Sequence, residues 1–253
     1  MKTHAGIPHQ NMALDDALLF YFQCNTGETG VTWWDQSVHE RSASQETAAN
    51  QPTALSGGGL SFDDSNDEAN ASMMDFETLE VTANTNFLMF IVWNPEATSS
   101  SAYLSNTTAE VFQQTSGNTT LFKTGSGAKN TAMTHGNIGG TGGDTNIFAI
   151  DTGEKSVFML ERTNGATGTI KIYKNGKVCD GHNNAGTVNA SEFSLQNLGS
   201  KNDASNWFSG TMYDVGFISE ASISSAVPSS DKRRQMIGDY LMCKHGIERL
   251  GND

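Results

Sequence analysis

Thr169-Ile170-Lys171-Ile172-Tyr173-Lys174-Asn175-Gly176-Lys177-Val178-Cys179 is the stretch that decides the fold. Ile170 and Ile172 alternate with Lys171 and Tyr173, the period of two that a half-buried strand shows. Asn175-Gly176 then turns the chain, because both central positions of a type I′ turn need positive φ. Lys177-Val178-Cys179 is the return strand. Upstream, Ser156-Val157-Phe158-Met159-Leu160-Glu161-Arg162 reads as a strand joined to the hairpin by the turn-rich residues 163–168. Downstream, residues 207–218 give one more long strand. Strict alternation there sets Met212, Asp214, Gly216 and Ile218 against Tyr213, Val215 and Phe217.

Working outward, residues 15–25, 75–81 and 86–93 read as further strands. Phe87-Leu88-Met89-Phe90-Ile91-Val92-Trp93 is a near-continuous apolar run, the pattern of a central strand buried on both faces, and Pro95 ends it. Residues 97–145 are rich in Ser, Thr, Asn and Gly, with short strand candidates at 109–114, 119–123 and 131–134. Another strand begins at 146–150. The tail changes period. Ser229-Ser230-Asp231 is N-cap chemistry, Met236, Ile237, Tyr240 and Leu241 follow at helical spacing, and Gly246 offers a stop. The expectation is an all-β sandwich of two antiparallel sheets with a C-terminal α-helix at about 230–245. Residues 13–253 form a single domain, and residues 1–12, polar with Pro8 and two histidines, form an N-terminal arm.

Composition agrees. A chain of 253 residues with 26 glycines suits many short strands joined by turns. The net charge of −13 disfavours phosphate backbones and anionic membranes, so neither nucleic acid nor membrane is an expected partner. Cys24, Cys179 and Cys243 are odd in number and far apart, with neither zinc spacing nor a disulfide framework; free thiols are the simplest reading, and one long-range disulfide is the alternative. The first ten residues lack the apolar core of a signal peptide, and residues 17–22 are too short to span a membrane. The expectation is synthesis in a host cytoplasm.

Several motifs carry a resemblance. Tyr173-Lys174-Asn175-Gly176, Leu198-Gly199 and Phe208-Ser209-Gly210-Thr211-Met212-Tyr213-Asp214-Val215 resemble the late hairpin and strand of the concanavalin A-like, laminin-G-like jelly-roll superfamily. Residues 24–37, ending Trp33-Trp34-Asp35-Gln36-Ser37, resemble the opening of lectin-like proteins of bacteria and their phages. So do Thr47-Ala48-Ala49-Asn50-Gln51-Pro52-Thr53 and the Phe62-Asp63 loop. The latter departs from the pattern, with Asp64 where glycine stands and Glu68-Ala69 where an aromatic follows. Residues 234–247 resemble the closing helix of the same group. The resemblance covers residues 14–95 and 155–247.

What the resemblance implies is a non-enzymatic virion structural protein of a bacteriophage, a capsid decoration or a tail, fibre or appendage component. It would form a homo-oligomer and contact other virion proteins through the N-terminal arm and loops. The alternative is a carbohydrate-binding lectin module that recognises a host surface glycan. The fold itself does not choose, since it hosts lectins, glucanases and adhesion modules alike.

Candidate sites follow from residue chemistry. Trp33, Trp34 and Trp207 are candidates for stacking on sugar rings. Trp33 and Trp34 point to opposite faces if extended, so at most one of the two is both exposed and functional. Asp63, Asp64, Asn66 and Asp67 form an oxygen-rich loop that could hold calcium, the one cofactor the sequence raises. Asp75-Phe76-Glu77-Thr78-Leu79-Glu80 compares with the ExDxxE strand of glucanases of this superfamily, with the acids reordered. Asp75 and Glu77 share a face, and Glu80 needs a bulge to join them. Retaining hydrolysis requires carboxyls roughly 5–5.5 Å apart, and the segment reads as an exposed acidic strand instead, with no catalytic residue assigned. Lys232, Arg233 and Arg234 read as a solvated face.

Overall fold

The computed structural model describes residues 17–63, 72–82, 85–96, 101–105, 110–114, 153–162, 170–178, 193–199, 207–219 and 230–251. The strands are β1 (Leu18–Gln23), β2 (Thr32–Trp33), β3 (Ala43–Ser44), β4 (Thr53–Ala54), β5 (Leu60–Phe62), β6 (Met74–Val81) and β7 (Phe87–Pro95). They continue with β8 (Ser101–Ser105), β9 (Glu110–Gln114), β10 (Ser156–Arg162), β11 (Ile170–Lys174), β12 (Lys177–Val178), β13 (Phe193–Leu198) and β14 (Gly210–Ser219). One helix, α1 (Ser230–His245), closes the chain. The N-terminal arm, the strand candidates at 119–123, 131–134 and 146–150, and Cys179 lie outside the described residues.

Two antiparallel sheets pack face to face. The eight-stranded sheet runs β12-β11-β10-β7-β14-β5-β4, with β1 also paired to β14; the six-stranded sheet runs β2-β3-β6-β13-β8-β9. The fold is thus the all-β sandwich with a C-terminal helix that the sequence pattern leads one to expect. The hairpin joining β11 and β12 turns at Asn175 and Gly176 with φ of 47° and 79°, as a type I′ turn requires. The Asn175 side chain locks the turn further, accepting the Val157 N–H at 2.8 Å.

Central strand β7 explains its own sequence. Phe87, Met89, Ile91 and Trp93 enter the core between the sheets. Leu88, Phe90 and Val92 enter a second core, shared with Ile237, Leu241 and Met242 of α1. A strand buried on both faces has no polar positions to alternate. Gly216 of β14 is small for a related reason: a Cβ there would lie 2.1 Å from the Phe90 ring.

Helix α1 ends in a Schellman motif. Gly246 has φ of +64°, its N–H reaches Cys243 O, and the Ile247 N–H reaches Met242 O. Near the other end, Arg234 stacks its guanidinium 3.8 Å over the Tyr173 ring and lies 3.7 Å from Glu161, which is buried and accepts the Tyr173 hydroxyl. The expectation of a solvated basic face therefore holds for exposed Lys232 and not for Arg234, which pins the helix to β10 and β11.

The strict alternation expected of β14 fails at one point. Register with β7 shifts between Met212 and Asp214. Met212 thereby joins Val215 and Phe217 in the inter-sheet core, while Tyr213 and Asp214 both turn toward α1. A bulge re-aims one side chain without ending the strand, and the side chain re-aimed here is a carboxylate.

Candidate functional site

Two polar assemblies stand out among the described residues, one on the six-stranded sheet and one beneath α1. On the sheet, Thr32 pairs with Ser44, Ser44 with Asp75, Asp75 with Asn197, Asn197 with Ser105, and Ser105 with Glu110. One register row thus crosses every strand of this sheet, and each residue on it is polar. At ~4.8 Å per strand the row is about 24 Å long. The adjacent row, Met74, Leu198, Leu104 and Phe112, is apolar, and its first three members are buried in the core. Thr32, Ser44 and Asp75 of the polar row therefore lie on the outer face, while Asn197, further along it, is itself fully covered.

The paired tryptophans separate at the edge of this face. Trp33 is fully buried, packs on Phe22, and donates its indole N–H to Gln23 O at 3.0 Å. It belongs to the core and is unavailable for stacking on a sugar, which corrects its place among the candidates. Trp34, the next residue, is 52% exposed. The sequence expectation that only one of the pair could face solvent is met, and that one is Trp34. Trp207 is half-buried on the connection from β13 to β14.

A buried aspartate shapes the Trp34 loop. Asp35 accepts N–H bonds from Tyr21, Ser37 and Arg41 at 2.7 to 2.8 Å and the Ser37 hydroxyl at 2.7 Å. These bonds fix the turn on which Trp34 is presented. Glu28 clamps the neighbouring loops in the same way. It accepts the N–H groups of Asn25, Thr26 and Gly59, and although burial pushes its pKa up, these bonds together bring it below the usual value.

The acidic strand β6 crosses the same face. Its register with β13 slips between Leu195 and Asn197. The slip leaves Glu77 and Thr78 both exposed and sets Glu80 on the side of Asp75 and Glu77. The bulge that Glu80 needs is therefore present. Asp75 accepts a hydrogen bond from Asn197 Nδ2; burial raises its pKa, and that bond opposes the rise. Glu77, with a side chain 74% exposed, has Arg41 Nε at 3.9 Å. Thr78 bonds Gln196 across the strand pair at 3.3 Å.

Beneath α1, Asp214 has no solvent exposure. Its Oδ1 accepts the Cys24 N–H at 3.0 Å, and the Lys244 ammonium lies 2.8 and 2.9 Å from its two oxygens. His245 Nε2 is 2.5 Å from Oδ2. Tyr21 and Tyr240 border the charge. Burial first and the Asp214 carboxylate second raise both phenols, that of Tyr240 to about 12. Cys24, Asp214 and His245 offer ligand atoms within 4.8 Å of one another, but this set does not fit a metal. Lys244 already supplies the cation at both carboxylate oxygens, and burial and Asp214 push the Cys24 thiol away from the thiolate a metal takes. The cluster is a structural ion group that fastens helix to sheet. Of the proposed calcium loop, Asp63 is exposed, while Asp64, Asn66 and Asp67 lie outside the described residues.

No protein-family model matches the sequence, and no curated protein matches it either. Solved structures share the fold. Domain 4 of an extracellular arabinanase from Geobacillus stearothermophilus, in complex with arabinotriose, matches with a TM-score of 0.50 at 15% identity, over 79% of this chain and 91% of that one. Trypanosoma rangeli sialidase in complex with sialic acid matches with a TM-score of 0.51 at 14% identity, over 92% of this chain. The match spans 34% of the sialidase. At such identities the likeness is one of fold alone, a two-sheet β-sandwich.

Proposed function

We propose that this chain is a carbohydrate-binding β-sandwich module whose binding surface is the outer face of the six-stranded sheet. The observation that carries the reading is Trp34. An indole left half in water at the end of an edge strand, beside a face of carboxylates, hydroxyls and amides, has the composition a sugar requires. The ring offers an apolar plane, and the polar groups offer partners for hydroxyls. The two sugar-bound neighbours in fold support it by analogy.

The module binds without reacting. Hydrolysis needs a general acid in a desolvated place that raises its pKa and a second carboxyl beside it; burial raises Asp75, but Asp75 accepts from Asn197 and Glu77 is mostly exposed beside Arg41. A glycan array probed with the wild-type chain and with Trp34→Ala tests the reading. Binding that Trp34→Ala abolishes supports it, and a blank array removes it. Release of reducing sugar from a β-glucan, lost in Glu77→Gln, would replace binding with hydrolysis.

A second reading places the module on a phage particle, as a homo-oligomeric structural protein contacting other virion proteins. It is supported by the resemblance of residues 24–37, 47–53 and 234–247 to lectin-like phage proteins. Quantitative proteomics of purified particles tests it, and absence of the chain from them would remove it.

A further inference from the structure

We infer that the sugar face selects neutral glycan chains and rejects carboxylated or sulfated ones, an inference that rests on the carbohydrate-binding reading. The argument is one of charge placement. The strands of the six-stranded sheet carry the exposed Asp75, Glu77 and Glu80 and not one Lys or Arg. On the other sheet, by contrast, the strand residues Lys174 and Lys177 are cationic. Arg41 is the one described cation that reaches the face, from the loop before β3; its Nε lies 3.9 Å from Glu77 and its NH1 donates to Leu19 O at 3.3 Å, so it offsets part of the charge of Glu77 and leaves Asp75 and Glu80 as the anionic groups of β6.

Recognition of an anionic sugar uses a cationic fork, which pairs with a carboxylate or sulfate through two parallel bonds. This face instead presents carboxylates, which accept hydrogen bonds from hydroxyls and repel a second anion. Asp75 and Glu77 stand two residues apart on one strand, on the side shared with Trp34. A ligand reaching from that indole across β3 to β6 would bring a carboxylate against these charges, where a repulsion at contact is worth about tenfold in affinity. The chain's net charge of −13 adds a long-range term of the same sign. Thr32, Ser44 and Asp75, the members of the row described as reaching solvent, span three strands, so they offer partners beyond one ring and suit a chain lying across the strands.

The test is calorimetric titration of the full chain with matched pairs: lactose and sialyllactose, and neutral cello-oligosaccharides and their carboxymethylated forms. The array hit takes the same treatment, neutral and carboxylated. Neutral members are expected to bind at least about tenfold more tightly than their anionic partners at low salt. The gap should narrow as salt screens the face. Glu77→Gln, an exposed change that the fold tolerates, should shrink the ratio severalfold, and Trp34→Ala should remove binding of both members. Anionic members binding as tightly as neutral ones would overturn the inference and leave the carbohydrate-binding reading standing. No binding by any member, the array hit included, would overturn that reading and the inference with it.

Discussion

Breaking the buried ion cluster from its two sides should have unequal effects, and the inequality is the informative quantity. Asp214 has no exposure and accepts from Lys244, His245 and the Cys24 N–H. The Lys244 side chain is 18% exposed. Asp214→Asn removes the charge and leaves an amide of the same shape. Lys244 can then turn its ammonium to water along an already open path, so the cost sits near the low end of a broken buried pair, about 3 kcal/mol. Lys244→Met instead leaves a carboxylate that no rotamer brings to solvent with only His245 and the Cys24 N–H beside it, and the cost approaches the high end, about 5 kcal/mol. Against a domain stability of about 5–15 kcal/mol, either is a large share.

The double variant Asp214→Leu with Lys244→Met removes both charges and fills the space with apolar atoms. Replacing a whole buried pair is often neutral, so the double variant should recover most of what Lys244→Met loses. Urea unfolding followed by tryptophan fluorescence reads these four proteins and the Asp214→Leu single variant that closes the cycle, with midpoints compared at constant m. A Lys244→Met cost below about 1 kcal/mol, or a double variant as unstable as the sum of its singles, would refute the reasoning.

Three further outcomes are expected. Trp33→Ala should cost about 3–5 kcal/mol in urea unfolding, while Trp34→Ala should change stability by under about 0.5 kcal/mol, because one indole is core and its neighbour is surface. Gly216→Val should cost at least about 1–3 kcal/mol, since its side chain must displace the Phe90 ring, whereas Gly57→Ala, with open space at its Cβ, should be close to silent. The raised Tyr240 phenol gives the alkaline limb a direction. Its contribution is whole below the unfolded phenol value near 10 and is lost as pH rises through about 12, so the Tm of the wild type should fall more steeply over that window than that of Tyr240→Phe.

The sequence disclosed elements wherever a segment was long enough to show its period. Residues 156–162 and the Asn175-Gly176 hairpin stand where the pattern put them, and the apolar run in β7 is buried on both faces. β2, β3 and β4 are two residues each and carry no readable period, so the edge that presents Trp34 was visible only as a motif. Bulges hid more. In β14 the shift at Tyr213 moves Met212 into the other row, and in β6 the slip puts Glu80 on the face of Asp75. Neither shift has a composition signal, because a bulge is a property of two paired strands. Asp214 and Asp35 were legible as letters of motifs, but their work was not. Cys24 and Lys244, which contact Asp214, lie 190 and 30 positions away.

The two bulges divide the labour of the sandwich. On β14 the shift sends a carboxylate toward the helix, where Lys244 neutralises it, and the eight-stranded sheet is thereby covered on its second face by Ile237, Leu241 and Met242. On β6 the slip sends a carboxylate to the outer face of the other sheet, whose strands carry no cation to neutralise it. The same local device thus closes one sheet and charges the other. A buried carboxylate must be paired, so the first is fixed by stability. An exposed carboxylate needs no partner for folding, so the second leaves Glu80, like the mostly exposed Glu77, little constrained by stability. Charge-neutral substitutions at Glu77 and Glu80 should therefore move ligand preference while leaving the unfolding midpoint in place, and the reverse should hold at Asp214.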